Sequence, residues 1–249
     1  STSWKRTSTG DEIDRRSSSY AANQPYQGLY ASTDGGMSFG PRIVAGVADA
    51  RRGTHSAIAH APGSVGARRA EKWLAIVDGR SEDGAVVVQI VASTDGWASW
   101  TKRGTWNQAS FGTSAWMAGD GSSEGRFYVA CGNGLVRITN AFSGTFTATL
   151  LSGQGGLPAG GILGKPYVSA DGRTIIVGIG SKGIYRTTDG GASWARVGSE
   201  DSFAKLQVNP YDPRHMILIY GQQSSQQRPK YSTDGGASFT ATASADVER

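Results

Sequence analysis

Short apolar runs alternate with polar, glycine-rich stretches along the chain. Each run is four to six residues long and rich in β-branched residues, as at 73–77, 86–91, 126–130, 135–139, 174–178 and 184–187. Runs of this length, bounded by Gly, Ser, Thr or Asp, predict β-strands. The 36 glycines and the low content of charged residues, 18%, suit tight turns between strands rather than long helices. The pattern therefore predicts an all-β protein.

An eight-residue pattern recurs between these strands. It reads Ser-Thr-Asp-Gly-Gly-Met-Ser-Phe at 32–39, and three further copies occupy 93–100, 187–194 and 232–239. A degenerate copy that lacks the aspartate spans 139–146. We call each copy a repeat turn. Successive copies start 45–61 residues apart, and a four-stranded propeller blade takes roughly 40–50 residues. The spacing therefore predicts one repeat turn per blade.

The chemistry of the repeat turn predicts a hairpin. In an Asp-Gly pair the carboxylate accepts hydrogen bonds from nearby backbone N–H groups, and glycine tolerates a positive φ. The neighbouring Ser and Thr hydroxyls satisfy further donors of the turn. The Trp or Phe at the end begins the next strand, where a large ring packs well between two sheets.

These copies resemble the Asp-box (BNR) repeats found in sialidases, sortilin-type receptors, xyloglucanase-type glycosidases and photosystem assembly factors. The segment 208–213, followed by 216–220, is also similar to a blade opening in the xyloglucanase and sortilin branches. The resemblance implies a β-propeller of four-stranded antiparallel blades. It also implies that the aspartates of the repeat turns are structural and lie away from the binding face; they are Asp34, Asp95, Asp189 and Asp234.

The blade assignment predicts a single propeller domain over residues 1–249 with about five blades. Residues 20–46 hold a repeat turn and the strand after it, but little room for a whole blade before them. The four whole blades are expected at 55–103, 113–150, 166–198 and 203–243.

The first residues are expected to begin inside a blade. Residues 1–9 are similar to the end of a repeat turn and its outer strand, and 10–27 have the polar composition of an exposed loop. Two hypotheses follow: the first strand closes a small ring with the last blade, or the chain is part of a larger propeller completed by other chains. The last repeat turn already has an outer strand at 239–243, which favours the second hypothesis.

Composition and charge exclude several classes of function. The net charge of +5 suits an anionic partner, but no nucleic-acid-binding signature accompanies it. The single cysteine, Cys131, lies in an apolar run, which indicates a buried and inert thiol. No stretch approaches the roughly 18 apolar residues of a membrane span. The three histidines are too scattered for a metal site, and we expect no cofactor.

Catalytic residues are not evident from the sequence. A sialidase binds a carboxylate through arginines, and the first arginine of that family lies in a Phe-Arg-Ile-Pro-like motif ahead of the first repeat turn. The nearest string here, around Arg42, follows a repeat turn and lacks the proline that the motif has two residues after its arginine. A glycosidase needs two carboxyl groups roughly 5–10 Å apart. Asp78-Gly79 resembles an ordinary turn, and nothing else in the sequence marks two carboxyl groups as a catalytic pair. If the chain were a glycosidase, the candidates would be Asp49, Asp78, Glu82, Arg42 and Arg80.

Exposed aromatic residues indicate a binding module instead, because a ring face covers the apolar face of a sugar or side chain. Trp97 replaces the second glycine of its repeat turn and is expected at the surface. Trp106 and Trp116 flank a Gly/Ser/Asn-rich connection, and Tyr26 lies in the first loop. We therefore predict ligand binding by Trp97, Trp106, Trp116 and Tyr26, whereas Trp73, Trp100 and Trp194 are expected in the core.

These observations favour a secreted or surface-located propeller that binds a glycan or a protein without catalysis. A glycoside hydrolase of the sialidase or xyloglucanase type is the alternative. A structural subunit of a larger extracellular assembly, docked through basic loops, is the third hypothesis. The three differ in what they require: converging carboxylates, shallow aromatic sites, or large buried patches between chains.

Overall fold

The computed structural model describes residues 29–32, 34, 36–38, 40–42, 44–45, 56–62, 71–80, 86–162, 164–198, 205–209, 211–219 and 229–242. In these ranges the chain forms nineteen β-strands and one four-residue helix, α1 (Gln108–Phe111). The strands build four large sheets and one two-stranded ladder. The predicted all-β fold is confirmed.

The ladder and the first large sheet come first in the chain. The ladder joins β1 (Leu29–Ala31) to β2 (Gly40–Arg42) across the first repeat turn. A short strand, β3 (Val44–Ala45), runs parallel to the outer strand of the first sheet. The antiparallel strands of that sheet are β4 (Ser56–His60), β5 (Trp73–Arg80), β6 (Val86–Ser93) and β7 (Trp100–Thr105).

The remaining three sheets each contain four antiparallel strands in chain order. The second sheet comprises β8 (Ser114–Asp120), β9 (Ser123–Cys131), β10 (Gly134–Thr139) and β11 (Thr147–Leu150). The third comprises β12 (Tyr167–Val168), β13 (Ile175–Ile179), β14 (Gly183–Thr187) and β15 (Ala195–Gly198). The fourth comprises β16 (Lys205–Val208), β17 (Met216–Ile219), β18 (Lys230–Ser232) and β19 (Thr240–Ala241).

A sheet that lies between two other sheets buries both faces of its second strand. In β9, Phe127 and Val129 pack against the first sheet, whereas Tyr128 and Ala130 pack against the third. Because successive side chains of a strand point to opposite faces, a strand between two neighbours reads as a continuous apolar run. Full burial of a side chain such as Val129 or Phe127 stabilises the fold by about 1.5–3 kcal/mol. The core therefore lies in layers between consecutive sheets.

The four predicted blades coincide with the four large sheets, and the segment 20–46 supplies the β1–β2 ladder. One local prediction was wrong. Asp78 and Gly79 do not form a turn, because they continue β5 and pair with Val88 and Val87 of β6. The expected outer strand at 1–9 and the loop at 10–27 lie outside the described residues.

Candidate functional site

A groove of about 760 Å³ runs across the first strands of all four large sheets. These strands lie at the same edge of their sheets, and β8 contacts both β4 and β12. The volume falls within the range of roughly 300–1,000 Å³ that is usual for ligand sites. We call this feature the central groove. Its lining residues are Ile58, Ala59, His60, Pro62, Trp73, Trp116, Ala118, Gly119, Lys165, Pro166, Tyr167, Val168, Leu206, Gln207 and Val208.

Three aromatic side chains contribute to this lining, each from a different sheet: Trp73, Trp116 and Tyr167. Trp116 is 44% exposed, although Met117 beside it is buried in the core. The strand register shifts at Trp116, so this residue sits at an irregularity of β8. Burial raises the pKa of the Tyr167 hydroxyl, and the negative charge of Asp171 adds to the increase. Tyr167 therefore acts as a neutral hydrogen-bonding group in the groove.

The polar side chains of the central groove are His60, Lys165 and Gln207, and all three are exposed. Lys165 forms no ion pair with any residue that the structure describes. Among the described residues that line the groove there is no Asp or Glu. The lining thus carries a positive charge, hydrogen-bonding groups and a large apolar surface, which favours an extended ligand with apolar and acidic groups.

The predicted ligand-binding residues occupy different positions. Trp116 is exposed and lines the central groove, and ligand binding by this residue stays a prediction. Trp97 is half-buried instead of exposed at its turn, and its ring centroid lies 4.9 Å from that of Trp73. Trp106 is only 2% exposed, and its indole N–H donates to the Gly112 carbonyl at 2.8 Å. Its burial under α1 leaves it unavailable to a ligand at the surface. Tyr26 lies outside the described residues.

The structure does not bring a catalytic carboxyl pair together among the residues it describes. Asp49 and Glu82 lie outside those residues. Arg42 is in β2, and Asp78 and Arg80 are in β5, with side chains that the structure does not describe. Of the acids that the structure describes, Asp120 is the most buried; it accepts from the Ser122 backbone and hydroxyl and forms an ion pair with Arg126 at 3.2 Å. Both of its carboxylate oxygens are therefore bound by neighbouring residues within the fold.

The four intact repeat turns share one hydrogen-bond network. The hydroxyl of the first residue donates a hydrogen bond to the aspartate Oδ1 at 2.6–2.8 Å. It also accepts a hydrogen bond from the backbone N–H of the fifth residue at 2.7–3.1 Å. The serine at the seventh position donates its N–H to Oδ1 at 2.9–3.0 Å and its hydroxyl to Oδ2 at 2.5–2.6 Å. Each carboxylate is thus engaged within its own turn.

These donors stabilise the ionised carboxylates. The hydroxyl of the seventh-position serine is the largest cause, and it lowers the pKa of Asp95 and of Asp234 to about 2. The pKa values of Asp34 and Asp189 are likewise held well below their ordinary value, again chiefly by the seventh-position serine. A carboxyl group with so low a pKa is a poor proton donor near neutral pH. The repeat turns therefore suit a structural role better than a general-acid role.

Three side chains join a repeat turn to the sheet before it. Arg103 of the first sheet donates to the Ala141 and Gly144 carbonyls at 2.9 and 3.2 Å. The Tyr128 hydroxyl of the second sheet donates to the Gly190 carbonyl at 3.3 Å. Arg186 of the third sheet donates to the Gly235 carbonyl at 3.0 Å. We call these contacts latches; the sequence pattern alone does not predict them.

Other chemistry is limited within the described part of the chain. It contains no group of three or more His, Cys, Asp or Glu side chains placed to hold a metal ion. Burial raises the pKa of the Cys131 thiol to about 11, which leaves it unreactive. Within the same part of the chain, none of the helices has the length and apolar character needed to cross a membrane.

The sequence reasoning missed most of the central groove. Trp73 was expected in the core, yet it is half-buried and faces the groove. The sequence pattern does not single out His60, Lys165 or Gln207 as ligand-binding residues. The only signal that could have found them is their place on or beside the first strand of successive blades, because those strands converge at one edge of a propeller.

Comparisons with known proteins support the fold. No protein-family model matches the sequence, and a search of curated proteins finds no relative. An ancestral GH74 enzyme, a β-propeller protein, superposes with a TM-score of 0.51 at 16% identity, over 82% of this chain and 26% of that one. At this identity the likeness is one of fold alone.

Two further solved structures are more distantly similar. The GH74 xyloglucanase from Xanthomonas campestris has a TM-score of 0.42 at 12% identity, over 80% of this chain and 38% of that one. The protein YCF48 bound to D1 peptide has a TM-score of 0.42 at 14% identity, over 80% of this chain and 60% of that one. The chain spans less than two thirds of the length of each of these proteins.

Proposed function

We propose that this chain is a non-catalytic recognition propeller of the Asp-box class that binds a protein segment in its central groove. The observation that carries the proposal is the groove lining: aromatic and aliphatic residues from four sheets, with a lysine and no acid among the described members. The shared network of the four intact repeat turns supports the Asp-box assignment. Placement outside the cell or at its surface stays a prediction.

The apolar part of the lining favours a protein segment over a glycan. Ile58 is 48% exposed in the groove, and Leu206 and Val208 are half-buried there. A glycan carries hydroxyls around its rings, and each hydroxyl that is buried without a partner costs free energy. Aliphatic side chains offer it no partner, whereas they fit the apolar side chains of a peptide.

The polar part of the lining favours binding over hydrolysis. Hydrolysis of a glycosidic bond by the usual mechanism requires two carboxyl groups that flank the bond. The described lining offers a cationic group, Lys165, and neutral groups such as Gln207. These groups bind and orient a ligand with acidic character, but they do not supply the acid and base of a glycosidase.

The test is a parallel screen of peptide, glycan and hydrolytic activity. The full chain is immobilised and used to select from a random-peptide phage library, incubated on a glycan array, and assayed for hydrolysis of xyloglucan and of a sialoside. We expect selected peptides rich in apolar and acidic residues, with Kd raised at least tenfold by Trp116→Ala. Tyr211→Ala is the matched control, because Tyr211 is 96% exposed and is not among the groove residues.

Two results would overturn this function. Hydrolysis of either substrate, abolished by Asp78→Asn or by Asp49→Asn, would establish the glycosidase alternative. Glycan binding that is lost in Trp116→Ala, without any selected peptide, would establish a lectin.

A further inference from the structure

Trp97 has a backbone conformation that its side chain disfavours. Its φ is +63°, in the left-handed region. The corresponding residues of the other three intact repeat turns are Gly36, Gly191 and Gly236, with φ of +91°, +93° and +79°. Bulky residues adopt this region only at a cost in free energy. The replacement of glycine by tryptophan in this one copy therefore calls for a compensating contact.

The repeat turns differ in the space around this position. A Cβ atom at Gly236 would lie 2.3 Å from Cδ1 of Ile176, so a side chain in the last copy would displace Ile176. At Gly191 the nearest atom, Cδ1 of Leu151, is 3.3 Å from such a Cβ. The copy at 93–100 instead accommodates a whole indole, which packs at 4.9 Å and 59° against the ring of Trp73.

Trp73 connects this contact to the central groove. It pairs in register with His60 across β4 and β5, and the two rings meet edge to face at 5.5 Å and 66°. Trp73 and His60 both line the groove. The rings of Trp97, Trp73 and His60 therefore form a continuous row from the turn into the groove, which we call the three-ring cluster.

We propose that Trp97 is a positioning residue that fixes Trp73 in the groove, and that the three-ring cluster anchors a planar apolar side chain of the bound segment. This inference rests on the proposed function and identifies the part of the ligand that is recognised at one end of the groove. Aromatic pairs prefer tilted or edge-to-face geometry, and a side chain held in place before binding loses less entropy when the ligand arrives. An aromatic or proline side chain suits such a surface.

The experiment uses the full chain labelled with 5-fluorotryptophan and the probe N-acetyl-tryptophan amide. Trp73→Phe and Trp116→Phe assign the ¹⁹F resonances of Trp73 and Trp116. We expect the Trp73 resonance to shift saturably with the probe. In Trp97→Gly without the probe, the Trp73 resonance should lie at a different position from that in the parent protein. The Kd of the probe should rise at least fivefold in this variant. Trp97→Phe should restore part of the affinity.

The thermal midpoint separates positioning from a purely structural role. Glycine relieves the strained φ, so Trp97→Gly should leave the midpoint unchanged or raise it while binding weakens. An unchanged Kd, whether or not the midpoint falls, would overturn the proposal. The Trp116 resonance of Trp97→Gly could respond to library-selected peptides with the same Kd as in the parent protein. That result would support peptide binding in the central groove and would contradict the role of the three-ring cluster. If neither resonance responds to any peptide or to the probe, both proposals fall.

Discussion

A single carboxylate organises each intact repeat turn at the residue scale. In the last copy, Asp234 accepts from Ser232, from the Ala237 and Ser238 backbones and from the Ser238 hydroxyl. Hydrogen bonds to a charged acceptor are stronger than those between neutral groups. This network explains why the first and seventh positions carry hydroxyls: one accepts the backbone N–H of the fifth residue, and both donate to the carboxylate.

The low pKa of Asp234 predicts a loss of stability in acid. Because the folded-state pKa is about 2 and the ordinary value is 3.8, the contribution of the ionised group is complete above pH 3.8 and is lost as the pH falls through about 2. Urea unfolding at pH 6, 4, 3 and 2 should show Asp234→Asn less stable than the parent protein at pH 6. The difference should shrink by more than half between pH 4 and 2.

Ser238→Ala is the control for this effect. It keeps the carboxylate and removes the hydroxyl that lowers its pKa most, so the stability of this variant should begin to fall at a higher pH than that of the parent protein. A difference between Asp234→Asn and the parent that stays constant with pH would contradict the prediction.

At the element scale, the repeat turns act as joints between sheets. Each latch runs from a strand of one sheet to carbonyl groups in the turn of the next, and the degenerate turn at 139–146 has one as well, from Arg103. That turn lacks the aspartate, but the Asn140 amide donates to the Thr145 carbonyl at 2.9 Å and closes the loop. The latches therefore complement the apolar layers between the sheets.

Arg103→Met should destabilise the fold while it keeps most of the apolar stem. The substitution removes hydrogen bonds to the Ala141 and Gly144 carbonyls, and hydrogen bonds that involve a charged group contribute about 1.5–3 kcal/mol. Lys102→Met is the matched control, because Lys102 precedes Arg103 in β7 and is exposed. Urea unfolding followed by circular dichroism measures both. Equal stability of the two variants would show that the Arg103 latch contributes nothing.

Sequence periodicity predicted the strands and the repeat turns because both depend on neighbouring residues. It could not separate Trp106 from Trp116, since both flank the same polar connection. Trp106 is buried because α1 folds back and Phe111 packs against its ring at 4.8 Å, whereas Trp116 faces the groove from an irregular strand. Lys165 lies just before β12 and Gln207 lies in β16, so the two residues line one groove only through the packing of two sheets, which no local pattern encodes.

At the scale of the whole molecule, the central groove exists only because four sheets present their first strands at one edge. The described lining comes from all four sheets and combines a positive charge with apolar surface. The chain as a whole has a net charge of +5. Such a field raises the association rate of an acidic partner and weakens as salt is added.

Lys165→Glu should therefore change which peptides the chain selects. Reversing the one cationic side chain of the described lining should deplete Asp and Glu from the selected peptides and raise the Kd of a peptide selected on the parent protein. An exposed charge pair contributes about 1 kcal/mol, or roughly fivefold in Kd. Lys102→Glu changes the net charge equally but lies on β7, outside the groove residues. If both variants raise the Kd of the peptide by the same factor at 50 mM salt, the attraction comes from the overall charge of the chain. An increase in Kd that is confined to Lys165→Glu, and is smaller at 500 mM salt, would show that the attraction comes from Lys165 in the groove.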